Sequence, residues 1–275
     1  MHTRSTSLFA LLAAVILAGA TASVQAQARQ QGRLLTAAEV LDELRGARDQ
    51  AIPDRLLERA YGIAVIPDVT KVAWFLGGRR GHGVLVVRDK DGRFCDPVFV
   101  TLTGGSLGMQ WGVQSTDIVL VFTTPKGIEG ISGGKVTLGA DASVAAGPVG
   151  RQASAGTDAA FKAEVYSYSR SRGAFIGIAL DGGAMNIDDQ ANAAFYNKPG
   201  VIAADIMSGT VRSSDQSAQR FLAAVATSTG ERRSASAAPA SAPAAATTAP
   251  AHASAPASGA QSFPLSDPQP GSEPK

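Results

Sequence analysis

The sequence predicts an α+β fold: a single domain with a curved, mainly antiparallel, glycine-rich β-sheet flanked by N-terminal and C-terminal helices. Three observations carry this expectation. Apolar residues recur at helical spacing before residue 62 and again after residue 188. Between them lie short runs rich in Val, Ile and Phe, parted by glycines and turn residues. The connections between the early runs are too short for a parallel crossover, so those strands should pair antiparallel.

The N-terminal helices come first. Thr36-Ala37-Ala38-Glu39 has capping-box form, with Leu35 and Val40 placed as a hydrophobic staple. Val40, Leu41, Leu44 and Ala47 then continue at helical spacing. A second helix is expected from Pro53 to Tyr61, with Pro53 in its first turn, Leu56, Leu57 and Ala60 on its apolar side, and Gly62 at its exit. Strands follow at 63–67 (IAVIP), 71–77 (KVAWFLG), 83–89 (GVLVVRD), 97–103 (PVFVTLT) and 117–123 (DIVLVFT), with a turn at Asp91-Gly92. Further strands are expected at 135–139, 163–170 and 174–180. Glycines inside these runs point to bulges and close backbone contacts. A helix from Asp188 to Tyr196 and a last helix capped by Ser213 or Ser214 close the domain.

Both ends read differently from this core. His2 and Arg4 precede the apolar run Leu8–Ala20, and small residues then offer cleavage after Ala26 or Ala28. That is the layout of a secretory signal peptide. The expected organisation is a signal peptide over 1–26, a linker over 27–35, the folded domain over 36–229 and a disordered Ala/Ser/Pro-rich tail over 230–275. The signal implies a periplasmic or secreted protein, with no lipoprotein cysteine at the cleavage region. Cys95 is the only cysteine, so no internal disulfide can form, and it reads as a small buried apolar residue. The formal net charge of +2 excludes bulk nucleic-acid binding.

Three patterns have a partial likeness to catalytic or metal-binding motifs. Gly104-Gly105-Ser106-Leu107-Gly108 matches a nucleophile elbow, but the following residues do not read as a helix, and the only later histidine is His252 in the tail. Residues 127–135, GIEGISGGK, lack both the first glycine and the hydroxyl of a P-loop. His82 and Cys95 have no partners at metal-ligand spacing. The expectation is therefore no catalytic residue, no metal and no cofactor, with a serine hydrolase using Ser106 as a remote alternative.

The stretch 77–83, GGRRGHG, is the most distinctive feature. Arginines beside glycine backbone suit phosphate, through side-chain forks and exposed N–H groups. The plainer reading is a solvated glycine turn. Lys71, Arg79 and Arg80, with Arg151 and Arg170 from later strands, are the expected headgroup-binding residues. Arg55, Leu56, Leu57 and Arg59 form the expected membrane-contact helix, although neighbouring acidic residues balance its charge.

The core resembles the SYLF domain family, known for lipid- and actin-binding domains of endocytic proteins. The resemblance is carried by IPDRLLERAYGIAVIP (52–67), GGRRGHGVLVVRD (77–89), DPVFVTLTGGSLGMQWGVQSTDIVLVF (96–122), GGKVTLGADASVAAGPVGR (133–151), YSYSRSRGAFIGIALDG (166–182) and FYNKPGV (195–201). It implies an α+β fold and a non-enzymatic domain that binds phospholipid membranes, in eukaryotic members through phosphoinositide headgroups and an amphipathic N-terminal helix. The expected partner is thus a phospholipid membrane or lipid ligand. An envelope protein-interaction or structural module is the alternative. Export argues against actin as a partner, and the signal without attached SH3- or FYVE-like modules resembles a bacterial member.

Overall fold

The computed structural model describes residues 3–46, 52–73, 77–106, 112–149, 162–171 and 174–231. They belong to one unit, Met1–Ala238, and a second unit, Pro239–Lys275, lies outside the described residues. The expected tail therefore falls almost entirely outside them. Among the described residues, no helix is long and apolar enough to cross a membrane.

Helix α1 runs from Thr3 to Gly46 and α2 from Asp54 to Glu58. Four long strands follow: β1 (Gly62–Ala73), β2 (Gly77–Val87), β3 (Val98–Ser106) and β4 (Gly112–Phe122). Helix α3 (Lys126–Ser132) leads to β5 (Lys135–Thr137), β6 (Val144–Ala146), β7 (Val165–Ser171), β8 (Ala174–Gly177) and β9 (Gly183–Ile187). The chain then forms α4 (Asp189–Phe195), α5 (Ala203–Met207) and α6 (Gln216–Ser228). The nine strands make one curled sheet in the order β5-β9-β3-β2-β1-β4-β7-β6, with β8 on β7. Every pairing is antiparallel except β6 with β7. The α+β class with a mainly antiparallel sheet is therefore as expected.

The apolar runs are continuous rather than alternating because both faces of the central sheet are buried. Ile63, Val65, Val84, Val86, Phe99, Val119 and Val121 face one core, which α1, α2, α4 and α6 cover. Ala64, Ile66, Leu85, Val98, Val100, Leu120 and Phe122 face the other, closed by α3, α5 and the segments around Leu138 and Leu180. On α1, Leu34, Ala37, Ala38, Leu41 and Leu44 form the buried stripe at helical spacing. On α6, Ala218, Phe221, Val225 and Ser228 do the same. Polar contacts add to this packing: Gln31 donates to Asp215 at 2.7 Å, and Arg220 pairs with Asp42.

Several expected boundaries shift. Residues 27–35, read as a linker, are helical, and Gln30 and Leu34 are buried. The capping box at Thr36 does not form; its hydroxyl donates back to the Gly32 carbonyl at 3.1 Å, because the stripe continues upstream through Leu34. The last helix is capped by Asp215, which accepts from Ser217 N–H at 2.8 Å, rather than by Ser213 or Ser214. The strand expected at 63–67 and the first residues of the one expected at 71–77, to Ala73, join into β1 through a bulge at Pro67 and Asp68, where Asp68 has φ 52°; residues 74–76 lie outside the described residues, and Gly77 opens β2. The turn at Asp91-Gly92 forms, with Gly92 at φ 78°. The P-loop-like stretch is mostly helix α3.

Candidate functional site

The stretch GGRRGHG is strand, not a turn: all seven residues belong to β2. Its glycines are explained by a neighbour. A Cβ on Gly83 would lie 2.4 Å from the Val65 carbonyl oxygen and 2.8 Å from Ile66 Cα. One on Gly81 would lie 2.6 Å from both Ile66 Cγ2 and Val69 Cγ2. The β1 bulge presses against β2 at these two positions, so only glycine fits.

Strand geometry then separates the two arginines, since successive side chains point to opposite faces. Arg80 and His82 share the face of Val84, under α1; Arg79 shares the face of Leu85. The paired prediction of Arg79 and Arg80 as one headgroup clamp is corrected accordingly.

Lys71 of β1 sits directly opposite Arg79 of β2. Like charges at directly opposed positions repel, yet neither side chain has a carboxylate partner among the described residues. The Arg79 stem crosses Gly104, and its Nε is buried without a hydrogen-bond partner. Burial pushes the Arg79 guanidinium below its ordinary range. Both cations line a cleft of about 850 Å³ whose apolar wall includes Val69, Ile118, Ile176 and Ile178. Ile176 stands 54% exposed at this wall.

Arg170 lines the same cleft but is engaged. It donates from Nε to Asp117 at 2.6 Å and pairs with Glu43 on α1. Asp117 also accepts the Asp68 amide N–H at 2.9 Å, which holds the bulge. Burial pushes the Asp117 carboxyl up, and the Asp68 amide pulls it back. Burial also pushes the Arg170 guanidinium down, and Glu39 opposes this. Arg170 is therefore a clamp between α1, β4 and β7, not an available headgroup ligand. Arg151 lies outside the described residues. Leu56 and Leu57 are 2% and 1% exposed and belong to the core, which corrects their role as membrane contacts. Arg55 and Arg59 lie exposed on the other side of α2.

The catalytic alternatives lose their geometry. Ser106 ends β3 opposite Gly77, and the next described element is strand β4, whereas a nucleophile elbow needs a strand-to-helix turn. Cys95 is buried, and burial pushes its thiol up to about 11. Among the described residues no cluster of three or more His, Cys, Asp or Glu side chains is placed to hold a metal. Sequence reasoning missed Asp117 and Glu43 as partners of Arg170, and Asp188 as the partner of Arg33 and His82. Their separation along the chain, 127 residues between Glu43 and Arg170, leaves no local signal.

Residues 103–229 match the family model described as Ysc84, Las17-binding protein actin regulator. LAS seventeen-binding protein 3 of Saccharomyces cerevisiae is 35% identical over 193 residues, covering 69% of this chain and 41% of the relative. The chain belongs to the SYLF (Ysc84) family. Protein YSC84 of Saccharomyces cerevisiae is 35% identical over 177 residues, 63% of this chain and 37% of the relative. SH3 domain-containing YSC84-like protein 1 of Mus musculus is 32% identical over 181 residues, 64% of this chain and 53% of the relative. The chain thus spans about half or less of these SYLF relatives. The family model is described as an actin regulator, and the first of these relatives is named as a binding protein.

Proposed function

We propose that this SYLF domain is an exported, non-enzymatic phospholipid-binding module of the cell envelope. The observation that carries the reading is the unpaired Lys71–Arg79 cross-strand pair at a cleft with an apolar wall. An anionic headgroup relieves the repulsion between the two cations, and acyl chain meets Ile176 and Ile178. The apolar run Leu8–Ala20 supports export, to a periplasmic or secreted location. Flotation with vesicles of phosphatidylglycerol and phosphatidylcholine tests the reading. Wild type should float with these and not with phosphatidylcholine alone, and Lys71→Ala with Arg79→Ala should stay at the bottom. Absence of flotation on any anionic vesicle would overturn it. N-terminal sequencing of the exported protein checks cleavage after Ala26 or Ala28.

A second reading is a protein-docking module, favoured by the family description as Las17-binding. Partners captured from an envelope extract after lipid removal, with no vesicle binding, would support it over the first.

A further inference from the structure

A second basic cleft lies on the opposite face of β2, and it does not depend on the lipid reading. It holds about 470 Å³ between α1 and the sheet, over the β1 bulge. Arg33 and Thr36 of α1 form one wall, and Thr70, Arg80 and His82 form the other. Thr70 is directly opposite Arg80, and Arg80 and His82 point to the same side, two residues apart.

Three groups in this cleft have unused donor capacity. Arg33 Nη1 is buried without a hydrogen-bond partner. It stands 3.9 Å from Asp188 Oδ2, an ion-pair distance without a hydrogen bond, while its guanidinium carbon lies 5.8 Å from the Phe99 ring centroid. Arg80 is exposed and has no ion pair or side-chain hydrogen bond among the described residues. His82 uses only Nδ1, 3.3 Å from Asp188 Oδ2 and 3.1 Å from Thr101 Oγ1. That leaves Nε2 as its open ring nitrogen. Asp188 has no ion pair with Arg80 among the described residues, and its other oxygen caps α4 by accepting the Ala191 N–H at 3.0 Å. Asp68, also at this cleft, accepts from Ser115 at 3.3 Å. Asp188 also fixes the imidazole, as a carboxylate behind a ligating histidine does.

We propose that the α1–β2 cleft binds a phosphate group through Arg33, Arg80 and His82, with the Thr70 hydroxyl as a further donor. The chemistry follows from the donor set: two planar forks and one imidazole lining one cleft favour a multi-oxygen anion. Arg33 is weakly solvated: its side chain is 19% exposed, and this burial pushes its guanidinium below the ordinary range while Asp188 pulls it back. An entering phosphate therefore meets a cation already stripped of much of its water. The ligand is either the headgroup of a phospholipid or a soluble phosphate.

The test uses the purified chain carrying Lys71→Ala and Arg79→Ala, which silences the first cleft. The His82 imidazole signals are followed by NMR during titration with inorganic phosphate at constant ionic strength. Saturable shifts are expected, at least tenfold weaker in affinity when Arg80→Ala is added. Arg80 is exposed and unpartnered, so its removal leaves the fold in place, and unchanged amide spectra verify this. Shifts that are identical with chloride, or that survive Arg80→Ala at the same affinity, overturn the proposal. Vesicles containing phosphatidic acid then name the source: competition at His82 assigns a lipid phosphate, and lack of competition assigns a soluble one. If the lipid reading fails while His82 still titrates with phosphate, this cleft stands alone.

Discussion

Before the bulge at Pro67 and Asp68, strands β1, β2 and β4 present Val, Ile and Leu to two cores. Beyond it the same strands present Lys71, Arg79, Arg80, Thr70 and Ser115 to two clefts. The first half is fixed by burial on both faces: Ile63, Val65, Leu85, Val119 and Leu120 have no measurable exposure. The second half carries charge that the protein leaves unpaired. The bulge separates them, and Asp117 and the β2 glycines hold it in place. A rigid apolar half thus supports a polar half whose geometry is set from below.

The largest effect should come from the apolar half. Phe122→Ala removes a fully buried ring from the second core and should cost about 3–5 kcal/mol, read by chemical denaturation. Against a typical total of roughly 5–15 kcal/mol, that change leaves a marginal fold. Next comes the boundary itself. Gly83→Ala drives a methyl into the Val65 carbonyl and Ile66 Cα, which are backbone, and should cost about 1–3 kcal/mol. An equal stability for wild type and Gly83→Ala would show that the bulge moves easily and would blur the division.

Arg170→Ala acts across the boundary. It leaves Asp117 and Glu43 without their cation, but Arg170 is 20% and Asp117 11% exposed, so water screens part of the loss. About 1–2 kcal/mol is expected by denaturation, together with faster hydrogen exchange in α1. A smaller effect comes from Glu164, which accepts from Ser143 N–H at 2.8 Å and pairs with Lys126 at 3.1 Å. The Ser143 amide holds its carboxyl below the ordinary glutamate range; burial pushes the other way, and Lys126 adds to the lowering. Its stabilisation is therefore present above the unfolded value and lost as pH falls through the folded one. A shallow loss of stability on acidification is expected, and Glu164→Gln should flatten that part of the pH profile. The smallest change in stability belongs to the functional half. Lys71→Ala with Arg79→Ala should alter it by less than about 0.5 kcal/mol, toward stabilisation, because two opposed cations are removed.

Much of the apolar half was legible in the sequence. Unbroken runs such as VLVV and DIVLVF announce strands, and the stripe Val40-Leu41-Leu44 announces a packed helix. The short elements were harder. Strands β6 and β9 have three and five residues, too few to show a period, and α3 was hidden inside a glycine-rich stretch. The polar half was legible only as composition. The basic residues could be named, but Leu56 and Leu57 were assigned to a membrane that the core replaces.

By itself the sequence determined the α+β class, the SYLF membership and the concentration of basic residues around GGRRGHG. These are properties of local pattern: hydrophobic period, turn residues and motif order. The tertiary structure alone decided which cations remain available. Strand alternation sent Arg79 and Arg80 to opposite faces, and register set Lys71 against Arg79. Long-range pairing gave Arg170 to Asp117 and Glu43, and placed Arg33 of α1 beside His82 and Arg80. Charge is a property of a residue, but whether a charge is free to bind depends on what the fold places within about 4 Å of it.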